Sequence, residues 1–309
     1  MTKFIMLIGL PGSGKTTYAR ALLLSNEDWV HLSSDKIMRH NRLPGESPDY
    51  RHTFEEMYQQ TAFNLENGTN VIYDATNLAS KRRKSVLNRI EKFQPETEAI
   101  VFLTPYDVLK KRNSRRSDAD RVPELIIERY IRAFQLPRKD EKFDSIRFLS
   151  KPPLAEINAA KLKDKALSYE GCETFFQSFE ETKFMTKTAE MRALLHQNWK
   201  IIEEIKKEVP DPEELELLSW AILLHDIGKA YVRKKLPIEL DNFYGYEHVS
   251  AYLAYPVLLS LQFPMQFIYD VLLLIDEFEI GMESKRGKVK RRIGLDNYER
   301  LEKLWEIIN

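Results

Sequence analysis

Residues 9–16 read Gly9-Leu10-Pro11-Gly12-Ser13-Gly14-Lys15-Thr16, directly after the apolar run Phe4–Ile8 and directly before a helical stretch, Thr17–Leu24. This octapeptide fits the pattern G-x-x-x-x-G-K-[ST], in which glycines let backbone N–H groups converge on phosphate oxygens. The start of the following helix adds its dipole to the same anion site. In this pattern Lys15 reaches the β- and γ-phosphates, and the Thr16 hydroxyl binds Mg²⁺. The segment therefore predicts a nucleoside-triphosphate site at the edge of an α/β sheet.

Short apolar runs recur along the chain up to residue 150, and each of the first four leads into a turn and a helical stretch. The runs are Phe4–Ile8, Trp29–Leu32, Asn70–Tyr73, Ala99–Leu103 and Ile146–Leu149. Such alternation predicts a parallel sheet of about five strands with helices on both faces, the α/β class. Near-continuous apolar segments such as FIMLIGL suit strands that are buried on both faces.

The pattern changes at Lys151-Pro152-Pro153, because strand signals nearly vanish beyond this point. Apolar residues then recur at spacings of three and four, which is typical of helices in a bundle. These stretches are Thr188–Glu208, Pro212–Leu224, His248–Leu261 and Tyr298–Ile308. Between the last two, the basic segment Gly281–Arg292 is expected to be a loop. The sequence thus predicts an α/β domain over residues 1–152 and an all-α domain over residues 153–309.

Composition limits the class of protein further. The 309 residues contain 47 Lys and Arg against 47 Asp and Glu, and 43% are hydrophobic, so the chain is not an unfolded polyelectrolyte. A single cysteine, Cys172, excludes a disulfide framework. No apolar run approaches the roughly 20 residues of a membrane span, and the first residues lack the apolar core of a signal peptide. We therefore expect a cytoplasmic globular protein without a membrane partner.

Ligands of such sheets collect at the carboxyl ends of the strands. The second apolar run is followed there by Ser33-Ser34-Asp35 and, within the next helix, by Arg39. A carboxylate in this position can take the proton of an attacking hydroxyl, and a nearby cation can hold a phosphate of the acceptor. Alternatively, Ser34 or Asp35 simply caps the helix. The third run ends in Asp74-Ala75-Thr76-Asn77, which is also polar.

Arginines gather between the fourth strand and a later helix, at positions 112, 115, 116 and 121. Such a charged run is either a solvated face or a lid that clamps the triphosphate.

Four segments in the same order resemble the kinase domain of bacteriophage polynucleotide kinase over residues 1–150. They read GLPGSGKTTYAR, SSDKIMR, YDATNL followed by KRR, and LKKRNSRR followed by VP. The resemblance implies transfer of the γ-phosphate of ATP to a 5′-hydroxyl end of RNA or DNA. It also implies a general base at Asp35, a catalytic cation at Lys15 and a lid arginine at Arg116. The ATP-binding residues that it implies are Gly9, Leu10, Pro11, Gly12, Ser13, Gly14, Lys15, Thr16, Thr17 and Arg116.

One position departs from this family. Its acceptor-binding arginine lies three residues after the base, where this chain has Met38. Arg39 follows one residue later and is the acceptor-binding residue that we predict.

The helical half resembles the HD-domain phosphohydrolases over residues 185–309, in the segments WAILLHDIGK and FYGYEHVSA. The resemblance implies a divalent-metal phosphoesterase that uses Mn²⁺, Ni²⁺ or Co²⁺. Its implied ligands include His196, His225 and Asp226. Two histidines of the family are replaced here, since Tyr246 stands at one position and the segment that should end in the other contains none. Asp276, in that second segment, could serve as a substitute oxygen ligand.

Three hypotheses follow. The favoured one is an end-healing enzyme, in which an ATP- and Mg²⁺-dependent kinase of 5′-hydroxyl polynucleotide ends is joined to an HD domain that removes a 2′,3′-cyclic or 3′-phosphate. A separate ligase would act after it, because no lysine-centred nucleotidyl motif is evident in the sequence. The alternatives are a small-molecule or nucleotide kinase on the same scaffold, and a nucleotide-binding regulator with a degenerate, partner-binding HD half. RNA and DNA, and monomer and oligomer, stay open.

Overall fold

The computed structural model of the chain describes residues 1–25, 28–43, 46–118, 120–149, 158–179, 181–229, 245–278 and 286–308. The chain divides into two compact units. The first unit comprises Met1–Tyr130 with Glu141–Ser150, and the second comprises Ile131–Asp140 with Lys151–Asn309. The predicted boundary at Pro152 lies outside the described residues.

The first unit is built on a five-stranded sheet with the order β2-β3-β1-β4-β5. The strands are β1 Lys3–Gly9, β2 Trp29–Ser33, β3 Asn70–Asp74, β4 Glu96–Phe102 and β5 Ser145–Phe148. All of the pairings are parallel, so the predicted α/β class is confirmed. Strand β1 is central, and all of its residues after Lys3 are buried. A central strand needs apolar side chains on both faces, which explains the unbroken run FIMLIG.

Helices connect these strands, because consecutive parallel strands need a crossover. In chain order the helices are α1 Lys15–Leu24, α2 Ser34–Asn41, α3 Tyr50–Glu66, α4 Ser80–Ile90, α5 Tyr106–Ser114 and α6 Glu124–Ala133. The division between the two units falls inside α6, after Tyr130. In register, Asp74 at the end of β3 lies beside Leu7 of β1 and Ser33 of β2. The residues that follow these three strands therefore meet at one edge of the sheet.

The second unit is helical, and its described residues include no strand. Its helices are α7 Ala159–Ala166, α8 Cys172–Gln177, α9 Ala189–Glu208, α10 Pro212–Leu224, α11 Tyr246–Ser260, α12 Met265–Glu277, α13 Arg286–Ile293 and α14 Leu295–Ile308. Helix α11 is buried at every position except Leu259, so it runs through the interior of the unit. Asp211 is the N-cap of helix α10, and its carboxylate accepts a hydrogen bond from Glu214 N.

The prediction of a basic loop over Gly281–Arg292 is wrong in its second part, because Arg286–Ile293 forms helix α13. Val289 and Ile293 are buried, four residues apart on one face, and the other positions are basic residues and Gly287. The density of positive charge in the sequence concealed this short apolar stripe. Across the described ranges, no helix has both the length and the apolar character that a membrane crossing requires.

Candidate active site

The phosphate-binding loop joins β1 to α1 in the first unit. Gly12 and Gly14 have φ angles of 83° and 106°, a region that side chains disfavour, so the glycines of the motif are needed for this turn. The Ser13 amide donates to Leu10 O at 3.2 Å, and the Thr104 hydroxyl donates to Ser13 O at 3.1 Å. The Ser13 hydroxyl itself is buried and, among the described residues, has no hydrogen-bond partner. A bound ligand would satisfy this group.

Lys15 is buried within the loop, and its Nζ donates to the carbonyl oxygens of Gly9 at 2.8 Å and Leu10 at 2.9 Å. Burial lowers the pKa of Lys15 to about 8, although the charges of Asp74 and Asp35 act in the opposite direction. A cation with so little solvent around it gains most from a phosphate, because the phosphate replaces its lost hydration. Lys15, the residue predicted to contact the phosphates, therefore lies within the loop.

Asp74 is the last residue of β3 and lies beside the phosphate-binding loop. Its Oδ2 accepts a hydrogen bond from Thr16 Oγ1 at 2.9 Å and lies 2.9 Å from His31 Nε2. A P-loop threonine and a strand-end aspartate are the protein groups that hold the divalent cation in P-loop enzymes, and oxygen ligands suit Mg²⁺. The donor set therefore fits a triphosphate with a divalent cation. The sequence marked Asp74 only as a polar strand end and gave His31 no role.

His31 is expected to orient Asp74, since the two side chains are only 2% and 4% exposed and contact each other directly. Replacing His31 by Phe should raise the Mg²⁺ concentration needed for tight ATP binding by about 10- to 100-fold. His31→Gln keeps an N–H donor and should restore most of this loss. Calorimetric ATP titrations at several Mg²⁺ concentrations measure both. His40→Phe, at an exposed position of α2, is the control, and equal Mg²⁺ dependence in His31→Phe and the parent protein would contradict the role.

Asp35 lies in the first turn of α2, and its side chain is exposed. The helix is capped by Ser33, whose side chain makes no capping hydrogen bond, so neither Ser34 nor Asp35 occupies the N-cap position. Within the described parts of the chain, no group donates a hydrogen bond to the Asp35 carboxylate. The charge of Asp35 nevertheless acts on Lys15 and on Tyr130. This carboxylate is therefore available at the edge where the phosphate-binding loop lies.

The two ends of the arginine-rich segment between α5 and α6 are joined by hydrogen bonds. Asn113 is buried, donates to Val122 O at 2.7 Å and accepts from Val122 N at 3.0 Å, which ties the two ends of the segment together. Arg116 lies close enough to Lys15 to lower its pKa. Arg112, which was predicted only as one member of the arginine cluster, donates to Gly12 O at 3.0 Å and so contacts the loop directly. The described residues of the segment therefore lie beside the phosphate-binding loop.

Arg39, the predicted acceptor-binding residue, is exposed on α2. Its guanidinium forms an ion pair with Asp120 of the arginine-rich segment at 3.1 Å. Arg121 of the same segment donates to Ser114 O at 3.3 Å and Arg116 O at 3.2 Å, and these contacts fix the backbone. Arg39 therefore contacts the arginine-rich segment.

Arg83, in the KRR segment that follows YDATNL, makes contacts that stabilise the fold. Arg83 is fully buried and forms two hydrogen bonds of 2.7 Å with the two carboxylate oxygens of Glu141. Its remaining Nη1 donates to the carbonyl oxygens of Asn77 at 3.0 Å and Leu78 at 2.8 Å. Arg83 thus holds the turn that follows β3.

In the second unit, His225 and Asp226 follow the end of α10. His225 Nδ1 lies 2.7 Å from Ile222 O, and the ring packs on Phe278 with 4.4 Å between centroids. The Asp226 Oδ1 atom is 3.2 Å from His225 Nε2 and 2.8 Å from Lys229 Nζ. Burial alone would raise the pKa of Asp226, yet the charges of His225 and Lys229 hold it below its usual value.

Within the described residues, His196 makes its contacts away from His225 and Asp226, and its role as a metal ligand stays a prediction. Its Nε2 lies 3.5 Å from Glu173, and its ring is 5.0 Å from that of Tyr169. Helix α9 instead presents Asn198, which donates to Asp226 Oδ2 at 3.4 Å. Positions 196 and 198 point about 200° apart around a helix, so the histidine faces the other way. In the part of the chain that the structure describes, no three His, Cys, Asp or Glu side chains converge as metal ligands.

Comparison with known proteins gives two matches to family models. An AAA domain model matches residues 4–137, and an HD domain model matches residues 197–302. The first part of the chain is therefore similar to AAA domains, and the second part is similar to HD domains. A P-loop kinase domain implies ATP and a divalent metal.

Individual relatives resemble parts of the chain. An L-seryl-tRNA(Sec) kinase of Methanococcus maripaludis is 27% identical over 139 residues, which are 43% of this chain and 52% of the relative. A protein of Acanthamoeba polyphaga mimivirus, provisionally named a bifunctional polynucleotide phosphatase/kinase, is 27% identical over 150 residues, 47% of this chain and 32% of its own. The solved structure of the Pnkp1/Rnl/Hen1 RNA repair complex is 28% identical, with 51% and 52% covered and a TM-score of 0.40. The chain thus spans between about a third and about half of these relatives' lengths.

Proposed function

We propose that this chain transfers the γ-phosphate of ATP, with Mg²⁺, to 5′-hydroxyl ends of RNA or DNA in the healing of broken strands. The observation that carries this proposal is Asp35, an exposed carboxylate without a described hydrogen-bond donor whose charge acts on Lys15 of the phosphate-binding loop. A kinase of hydroxyl groups needs this combination, because a base must receive a proton next to the transferring phosphate. The relatives named for a polynucleotide and for a tRNA support a nucleic-acid acceptor.

The residues divide the reaction among them. The loop backbone from Gly9 and the Lys15 ammonium bind and orient the triphosphate. Thr16 and Asp74 would hold the Mg²⁺, which neutralises phosphate charge when it is bound. Asp35 accepts the proton of the 5′-hydroxyl as the new oxygen–phosphorus bond forms and the bond to the leaving ADP breaks. Arg116 stabilises the negative charge on the transferring group and excludes water as part of the lid.

A polynucleotide acceptor should bind through its phosphates and should therefore be sensitive to salt. Arg39→Ala should raise the KM for a 5′-hydroxyl oligonucleotide and reduce the salt dependence of log K by about 0.7 per lost phosphate contact on a single strand. The measurement is phosphate transfer from labelled ATP at several salt concentrations. Arg20→Ala, at an exposed position of α1, is the control and should change neither value.

The same assay distinguishes the alternative functions. A free nucleoside that is phosphorylated as efficiently as the oligonucleotide would favour the small-molecule kinase. Normal ATP binding without transfer to any acceptor would favour the nucleotide-binding regulator. A 5′-hydroxyl DNA strand, tested beside the matching RNA, identifies the preferred acceptor.

Two further expectations accompany the proposal. A separate ligase would join the ends that this kinase has prepared, in the cytoplasm. Removal of a 2′,3′-cyclic or 3′-phosphate by the HD domain stays a prediction, and it depends on a metal site in the second unit.

A further inference from the structure

The end of helix α12 carries a carboxylate cluster, Asp276 and Glu277, and both residues are fully buried. The two oxygens of Asp276 lie 2.6 Å from His248 Nδ1 and 2.8 Å from Arg138 Nη2. Glu277 lies 2.7 Å from the same Arg138 nitrogen and also forms an ion pair with Arg292. Every carboxylate oxygen of the cluster therefore faces a cationic or imidazole group of the chain itself.

Asp226 also has a cationic neighbour within the second unit. Lys229 and His225 approach its Oδ1, and Asn198 approaches its Oδ2. The His225 ring packs on Phe278, the residue directly after the carboxylate cluster, so the two sets of residues are neighbours. Asp276, the substitute oxygen ligand expected from the sequence, is thus engaged by His248 and Arg138.

Arg138 comes from outside the HD match, which begins at residue 197. It lies in the segment Ile131–Asp140, and this segment is firmly packed in the second unit. Ile131, Phe134 and Leu136 are fully buried there, the ring of Phe134 packs edge-on against Tyr252 at 5.4 Å, and Tyr269 donates to Pro137 O at 2.7 Å. The guanidinium is only 3% exposed and is held in place by these neighbours.

We propose that the HD pocket, by which we mean the described buried carboxylates Asp226, Asp276 and Glu277 with their neighbours, holds no metal ion, because Arg138, Lys229 and Arg292 supply the positive charge that these carboxylates require. A divalent cation needs ligand lone pairs, and here Asp226, Asp276 and Glu277 each have an oxygen within 2.8 Å of a Lys or Arg nitrogen of the chain. Binding a metal would displace a buried guanidinium and leave its charge without compensation, which is strongly unfavourable. If this proposal holds, the metal-dependent phosphoesterase activity expected from the HD resemblance is absent, and the HD domain has a structural role.

The first test uses the full chain, purified, incubated with Mn²⁺, Ni²⁺ or Co²⁺ and then desalted. We expect far less than one ion per chain by mass spectrometry, and no release of phosphate from a 2′,3′-cyclic phosphate end. Thermal unfolding should also be the same with EDTA and with Mn²⁺. Three of the four tryptophans (199, 220 and 305) belong to the second unit, so tryptophan fluorescence reports mainly on it. One tightly held ion per chain, lost in Asp226→Ala together with phosphate release, would overturn the proposal.

The second test removes the Arg138 side chain and measures whether Mn²⁺ then stabilises the protein. Arg138→Ala frees Asp276 and Glu277, so Mn²⁺ should now raise the unfolding temperature of the variant although it does not affect the parent protein. Without Mn²⁺ the midpoint should fall by about 5 °C or more. Lys139→Met, at the exposed neighbouring position, is the matched control and should change neither property. If Arg138→Ala does not fold, Arg138→Lys, which keeps the charge, should fold and remain insensitive to Mn²⁺. An Arg138 variant that stays as stable as the control refutes the proposed role.

The kinase proposal is tested separately by phosphate transfer to a 5′-hydroxyl end. A metal-containing HD pocket with an active kinase would refute only the inference about the pocket. A metal-free pocket with an inactive kinase would refute only the kinase.

Discussion

Asp35→Asn should lower the turnover of 5′-hydroxyl phosphorylation by a factor on the order of 10² or more, while ATP binds nearly as tightly as before. The amide keeps the size and polarity of the side chain but cannot accept the proton of the attacking hydroxyl. Asp35 caps no helix and accepts no described hydrogen bond, so the substitution should not disturb the fold. Single-turnover phosphorylation measures the rate, and calorimetry measures ATP affinity.

Two further variants are compared with Asp35→Asn. Asp28→Asn changes an exposed aspartate before β2 and should retain the full rate. Lys15→Ala should instead weaken ATP binding and the rate together, because Lys15 contacts the phosphates in the ground state as well as in the transition state. Near-normal turnover of Asp35→Asn would remove this residue from the mechanism.

Arg83→Met should destabilise the first unit by about 3–5 kcal/mol. The substitution leaves the Glu141 carboxylate buried without its partner and removes the donor to the carbonyl oxygens of Asn77 and Leu78. Hydrogen exchange read by mass spectrometry assigns the loss to peptides of this unit. Arg83→Met combined with Glu141→Leu should recover much of the stability, because no buried charge is then left alone.

The neighbouring Arg82 provides the matched control for that experiment. Its side chain is exposed, with the guanidinium 4.1 Å from the Phe54 ring centroid. Arg82→Met should therefore cost only about 0.5–1 kcal/mol. Equal effects of the two substitutions would show that the buried pair contributes no more than a surface contact.

The phosphate-binding loop and the parallel sheet could be predicted because their signals are local. Glycine spacing and apolar runs are visible within ten residues of sequence. The role of Asp74 is different, since it depends on β3 lying next to β1, and strand order is not written in any single segment. His31 was missed for the same reason, because its partner lies on the neighbouring strand.

In the second unit, two contacts of the buried carboxylates could not be predicted from the sequence. The HD resemblance implied His196 as a ligand, but the face of α9 that meets Asp226 carries Asn198. Arg138 was not considered at all, because 138 positions separate it from Asp276 in the chain. A metal histidine missing from a motif can be seen in the sequence, whereas a distant arginine that compensates for it becomes visible only in the folded chain.

The alternation of the two units along the chain limits how the protein could have been assembled from separate genes. A fragment that starts at residue 153 lacks Arg138 and the buried residues Ile131, Phe134 and Leu136, which belong to its own unit. A fragment that ends at residue 130 lacks β5 and Glu141, the partner of Arg83. No single cut yields two intact halves. Recombination at one crossover would therefore break at least one unit, and the two should be inherited together as one block.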